Sequence, residues 1–137
     1  MYPVELTIPM AKDLTAFGFE GLSSTEAVTN ALGNMEGTAL LVVNSVCGCA
    51  AGMARPGAKL SVQNEKAPDK LYTVFAGLDR EATEAAREHL LPYPPSSPAI
   101  GLFKDGQLVH FLERHHIEGR SAEIIAENLK MAFDRYC

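Results

Sequence analysis

The chain has 137 residues, 47% apolar and 21% charged, and a net charge of −5 from 12 basic and 17 acidic residues. That is enough to bury one core without staples and too rich in core formers for disorder, so a single domain over residues 1–137 is expected. The acidic balance and the lack of a Lys/Arg-rich stripe argue against a nucleic-acid partner. With no basic-then-apolar leader and no run of about 18 apolar residues, no membrane partner is expected and a cytoplasmic location is.

In chain order, Pro3 to about Phe17 reads as one helix. A second opens at Ser24, carries Ala27, Val28, Ala31 and Leu32 on one face, and stops at Gly33-Asn34. Residues 38–44, TALLVVN, form an unbroken apolar, β-branched run, the pattern of a central strand covered on both faces. Cys47, Gly48 and Cys49 follow at its end. The segment AAGMARPGAKLSVQNEK has helical character, with Gly52, Pro56 and Gly57 expected to kink it.

A strand over 71–78, a short amphipathic helix over 81–91 and a break at YPPSSP come next. Residues 99–113 read as two strands joined at Asp105-Gly106, a two-residue hairpin signal that pairs Lys104 with Gln107 and Ala99 with Leu112. Ser121 caps a last helix that turns Ile124, Ile125, Leu129 and Phe133 to the sheet. The order predicts an α/β fold: a mixed central sheet with helices on both faces and extra N-terminal helices, the helix-linked strands parallel and the hairpin antiparallel.

Three cysteines in a reducing compartment do not make a disulfide scaffold, so the close pair is a catalytic, redox or metal-binding candidate. A thiolate at a helix start is stabilised by the helix dipole and by free backbone N–H groups. Thiol–disulfide exchange needs such a nucleophile and a neighbouring thiol to resolve the mixed disulfide it forms. With one residue between the sulfurs, a disulfide ring bends the backbone sharply, which suits Gly48. An easily reduced ring predicts a couple more oxidising than the thioredoxin value of about −270 mV. Two other readings stand beside this one. The cysteines could be small buried apolar residues, or they could join His115 and His116 on a metal, although adjacent histidines rarely aim at one ion and no further CxxC completes the set.

The cysteines at a strand-to-helix junction, the proline directly before a late strand (Ser97-Pro98-Ala99-Ile100) and the FKDGQLV hairpin resemble the thioredoxin fold. CGC, ARPG, PPSSP, HHIEGRS and a terminal Cys together resemble the bacilliredoxins, small thioredoxin-like proteins with a Cys-X-Cys centre, over essentially the whole chain. The resemblance implies a thiol–disulfide oxidoreductase in which Cys47 attacks a mixed disulfide on a client protein and Cys49 resolves it. It implies a low-molecular-weight thiol, bacillithiol where the cell makes it, as cosubstrate, with no bound cofactor. It also implies that Pro98 is cis, sits against the cysteines and exposes the backbone of Ser97 to substrate.

The hairpin brings Glu113 to His116 beside Pro98, where Arg114 or a protonated His115 or His116 could favour the thiolate or hold an anionic thiol. Arg55 holds a family-like position. The alternative activity is disulfide isomerisation, and the alternative class is a metal-binding module on Cys47 and Cys49. Cys137 ends a helix of about 22 Å that runs away from the cysteine edge, so it is not expected to resolve Cys47. A link through it across a homodimer stays open.

Overall fold

The computed structural model describes residues 3–137. Its elements run α1 (Val4–Thr15), β1 (Glu20–Gly21), α2 (Thr25–Leu32), β2 (Thr38–Asn44), a π-helical turn (Ala50–Ala54), α3 (Arg55–Ser61), β3 (Lys70–Phe75), α4 (Arg80–Glu88), β4 (Ala99–Lys104), β5 (Gln107–Leu112), α5 (Arg114–Ile117) and α6 (Ala122–Tyr136). The sheet order is β1-β3-β2-β4-β5, with β3 parallel and β4 antiparallel to β2.

The central strand β2 is buried along its whole length because helices cover both faces of the sheet. Alternation along the strand sorts its side chains. Leu40 and Val42 enter a core shared with Ala58, Leu129 and Phe133, from α3 and α6, whereas Leu41 and Val43 meet Val28 and Leu32 of α2 and Ala82 and Ala86 of α4. Ser24 and Ser121 cap α2 and α6, their hydroxyls accepting the N–H groups of Ala27 and Ile124 at 3.0 and 3.2 Å. The hairpin turns through Asp105 and Gly106, whose φ values of 51° and 83° are those a two-residue hairpin loop requires. Among the described residues no helix is long and apolar enough to cross a membrane.

Several local readings are corrected. Lys104 pairs with Gln107, but an irregularity at Leu102/Phe103 skips one residue of β5, so Ile100 rather than Ala99 faces Leu112. A bulge adds a residue without leaving a mark in the hydrophobic pattern. Ile124 is 56% exposed, because the buried stripe of α6 runs through Ile125, Ala126, Leu129, Ala132 and Phe133 and so includes two alanines, at positions 126 and 132, in place of Ile124. Strand β1 has two exposed residues and no periodicity to read, and it forms by pairing with β3. The irregularity expected around Gly52, Pro56 and Gly57 takes the form of a π-helical turn over Ala50–Ala54, after which Pro56 lies in the first turn of α3. The Arg55 N–H bonds back five residues to the Ala50 carbonyl, and this wide turn makes room for a proline in the first turn of α3.

Gly57 marks a close approach of α3 to α6: a Cβ there would lie 2.7 Å from Cγ2 of Ile125 and 3.2 Å from the Ala122 carbonyl oxygen. The helix that follows the cysteines is thereby held tightly against the sheet's covering layer.

Candidate active site

Asn44, the last residue of β2, is buried and uses both ends of its amide. Its Nδ2 donates to the Met10 carbonyl at 3.1 Å, and its Oδ1 accepts from the Ser45 N–H at 2.8 Å and from Arg55 Nη1 at 3.0 Å. Arg55 is only 6% exposed; its Nη1 also donates to the Ser45 carbonyl at 3.2 Å and its Nε pairs with Asp13 at 3.1 Å. Lys59 takes the other oxygen of Asp13 at 2.7 Å. A buried guanidinium is tolerable when its donors are met in this way, and here it ties α1 and α3 to the turn leaving β2. Arg55 was legible as a candidate. Asp13, Asn44 and Ser45 were missed, because partners so far apart in sequence share no spacing.

That turn delivers Cys47 to a helix start. Gly48 and Cys49 are already helical, and the Cys47 carbonyl accepts the first helical bonds, from the N–H groups of Ala50 at 3.0 Å and Ala51 at 3.2 Å. Cys47 is half-buried, Cys49 is buried beneath it, and the sulfurs lie 2.6 Å apart. The two thiols are shifted in opposite directions. The Cys49 thiol, the backbone N–H groups of Cys49 and Ala50 and the charge of Arg114 favour the Cys47 thiolate and hold its pKa below the usual thiol value. Burial pushes Cys49 up, and the neighbouring Cys47 adds to it. The pair is thus a reachable thiolate above a covered thiol that can donate to it. Gly48 lies outside the left-handed region and a Cβ on it would meet nothing within 4 Å, so nothing in the arrangement as it stands demands glycine there.

Pro98 immediately precedes β4, whose Ala99 pairs with Val43 near the end of β2, and the Ser97–Pro98 bond is cis. The residues beyond β5 return to the same place. Arg114 opens α5: its backbone N–H donates to Ser96 Oγ at 2.7 Å, its Nε donates to Glu118 at 3.0 Å, and its Nη2 stands 3.1 Å from Cys47 Sγ. Its Nη1 lies 3.5 Å from the Ser97 carbonyl oxygen.

The adjacent histidines diverge in role. His115 lines an open cavity with Ser96, Ser97 and Arg114. His116 turns back, its Nδ1 accepting the Glu113 N–H at 3.0 Å to close a capping box on α5. Among the described residues, the side chains whose metal-ligating atoms gather within 4.8 Å of one another are Glu113, His115 and His116, without either cysteine. A set of Cys47, Cys49, His115 and His116 is not assembled. Cys137 is exposed, and its sulfur lies beside Thr38, at the other end of β2 from Cys47.

A dithiol at the end of the central strand and a cis-proline at the start of its antiparallel neighbour are parts suited to thiol–disulfide exchange, and this protein is a thiol–disulfide oxidoreductase of the thioredoxin fold. Solved structures bear out the fold. Thioredoxin from Fasciola hepatica matches with a TM-score of 0.60 at 15% identity, covering 87% of this chain and 100% of that one. Mitochondrial thioredoxin 3 from Saccharomyces cerevisiae, in its oxidized form, matches with 0.57 at 18% identity, covering 90% and 98%.

The chain belongs to the bacilliredoxin family. A family model described as disulphide isomerase matches residues 2–137. Bacilliredoxin from Cytophaga hutchinsonii is 59% identical over 134 residues, 98% of each chain, and Bacilliredoxin from Bacillus cereus ATCC 14579 is 50% identical over 137 residues, 99% of this chain and 95% of the other.

Proposed function

We propose that the protein removes a low-molecular-weight thiol from mixed disulfides on client proteins in the cytoplasm, with Cys47 as nucleophile and Cys49 as resolving thiol. One observation carries this assignment: the reachable sulfur is the one whose pKa is lowered, and the covered sulfur is the one whose pKa is raised. The Cys47 thiolate attacks the small thiol's sulfur, the client–small-thiol bond breaks, and the client cysteine leaves as a thiolate that takes a proton from solvent. Cys47 now carries the small thiol and has lost its negative charge. With that charge gone, Cys49 ionises more readily; it loses its proton, bonds to Cys47 and expels the small thiol as a thiolate. Two electrons have passed from the pair to the mixed disulfide, and a thiol reductant must return them before the next cycle.

In this account Arg114 steadies the thiolate, Ser97 and Pro98 offer backbone to the client, and Arg55 positions the turn that bears Cys47. The family resemblance favours bacillithiol as the small thiol where the host makes it. The test is a client protein charged with bacillithiol: wild-type protein should release the small thiol and end as the Cys47–Cys49 disulfide, and Cys47→Ser should do neither. Because the matching family model is described as disulphide isomerase, isomerisation is the second reading. Equal rates on a scrambled all-protein disulfide and on the mixed disulfide would favour it.

A further inference from the structure

Beside Cys47 the surface opens into a cavity of about 500 Å³, within the size range of small-molecule sites. Gly77 and Ser97 stand on its walls, together with two guanidinium groups, Arg114 and Arg87 of α4, and no carboxylate lines it. Arg87 is the less explained of the two. Its Nε is buried without a hydrogen-bond partner, and among the described residues it forms no ion pair. Buried arginine donors are ordinarily met; Arg87 borders the cavity with its Nε unpaired and no carboxylate of the described chain in an ion pair with it, so its guanidinium is uncommitted toward an acceptor from outside the chain.

Carboxylates do occur in the two adjoining cavities that Arg87 also borders, namely Glu84, Glu113 and Glu118. Glu84 faces Arg80 at 3.8 Å, Glu118 pairs with Arg114 at 3.0 Å, and the Glu113 side chain caps α5. In a protein of net charge −5, two guanidinium groups and no carboxylate on the walls of this cavity make it locally cationic, with Glu118 offsetting part of the Arg114 charge and Arg87 left without such a partner among the described residues.

We propose that this cavity binds the carboxylate group of the small thiol between Arg87 and Arg114, so that the protein selects mixed disulfides of anionic thiols. The inference rests on the reading above that Cys47 carries the small thiol. The chemistry is consistent in time as well as in place. When Cys47 enters the mixed disulfide its charge is lost, and Arg114, no longer paired with a thiolate, can turn a donor to the incoming carboxylate while Arg87 supplies the planar fork that suits it.

The test uses one single-cysteine carrier protein charged either with mercaptosuccinate, which bears carboxylates, or with 2-mercaptoethanol, which bears none. Comparing the ratio of kcat/KM between the two adducts in wild type and in Arg87→Ala cancels the intrinsic difference between the thiols. Arg87→Ala should lower kcat/KM for the mercaptosuccinate adduct about tenfold more than for the 2-mercaptoethanol adduct, Arg87→Lys should lose less, and the difference should shrink with added salt. An equal loss on both adducts would place Arg87 on the carrier protein or in the fold and overturn the proposal, as would no loss on either. Turnover of neither adduct by wild-type protein would instead overturn the reading that Cys47 removes small thiols from mixed disulfides, and this inference with it.

Discussion

Arg114 Nη2 stands 3.1 Å from Cys47 Sγ although 67 positions separate the two residues. The contact exists because Ser96 and Glu118 hold Arg114 from both sides, through its backbone N–H and its Nε. A cation fixed by its own partners needs little reorganisation to stabilise the thiolate, which is what a nucleophile poised before its substrate arrives requires.

The lowered pKa of Cys47 makes its reactivity depend on pH. Alkylation of Cys47 by iodoacetamide, followed by mass spectrometry, should show a midpoint below the usual thiol value of about 8.5. Cys49→Ala should raise that midpoint more than Arg114→Gln, since the Cys49 thiol is the leading cause of the shift and Arg114 a smaller one. Both variants lose stabilisation of the charged form, so both should react more slowly near neutrality and converge with wild type in alkali. The same lowered pKa adds stability above the unfolded thiol's pKa, and that part is lost as pH falls through the folded one. A wild-type midpoint at or above the ordinary value would contradict the account.

Arg55→Ala leaves Asn44 Oδ1 and the Ser45 carbonyl short of a donor inside the protein. Asp13 keeps Lys59 and is partly exposed, which moderates the loss. Urea unfolding should show a destabilisation of about 2 to 3 kcal/mol, with Arg55→Lys in between. A change under about 0.5 kcal/mol would mean that the network does not hold the turn.

Gly57→Ala should destabilise the protein by about 1 to 3 kcal/mol even though alanine is the better helix former, because the added methyl must displace Ile125 or part α3 from α6. Thermal unfolding measures this directly. An increase in stability would show that the two helices separate at little cost.

Cys137→Ser should leave turnover of a mixed-disulfide client unchanged. Its sulfur sits by Thr38, and β2 spans seven residues, about 20 Å, before the turn that bears Cys47. Lost turnover in this variant would show that Cys137 reaches the site in another chain or after the end of α6 unwinds.

What could be read from the sequence was what is local. TALLVVN announced the central strand, Ser24 and Ser121 announced helix starts, and two cysteines after a strand announced the chemistry. The Ile100–Leu112 register was hidden by one bulged residue, and the burial of α6 was hidden by alanines doing the work of larger side chains. At the site, Cys47 and Cys49 were visible as residue types suited to redox chemistry and Arg114 as a cation the hairpin brings near them, whereas Pro98 stood out only through the family resemblance. Asp13 and Asn44 were not, since their importance comes from a buried guanidinium that reaches them only after folding. Nothing in the spacing of the amphipathic helix over 81–91 singles out Arg87, and only the folded chain places it, with its Nε unmet, on the wall of the cavity beside Cys47.

The most direct test of the central claim is mass spectrometry of the Cys49→Ser variant after exposure to a client protein charged with a small thiol. The account predicts the small thiol attached to Cys47 and the client released with a free cysteine. An unmodified Cys47, or a Cys47 bonded to the client protein itself, would contradict it.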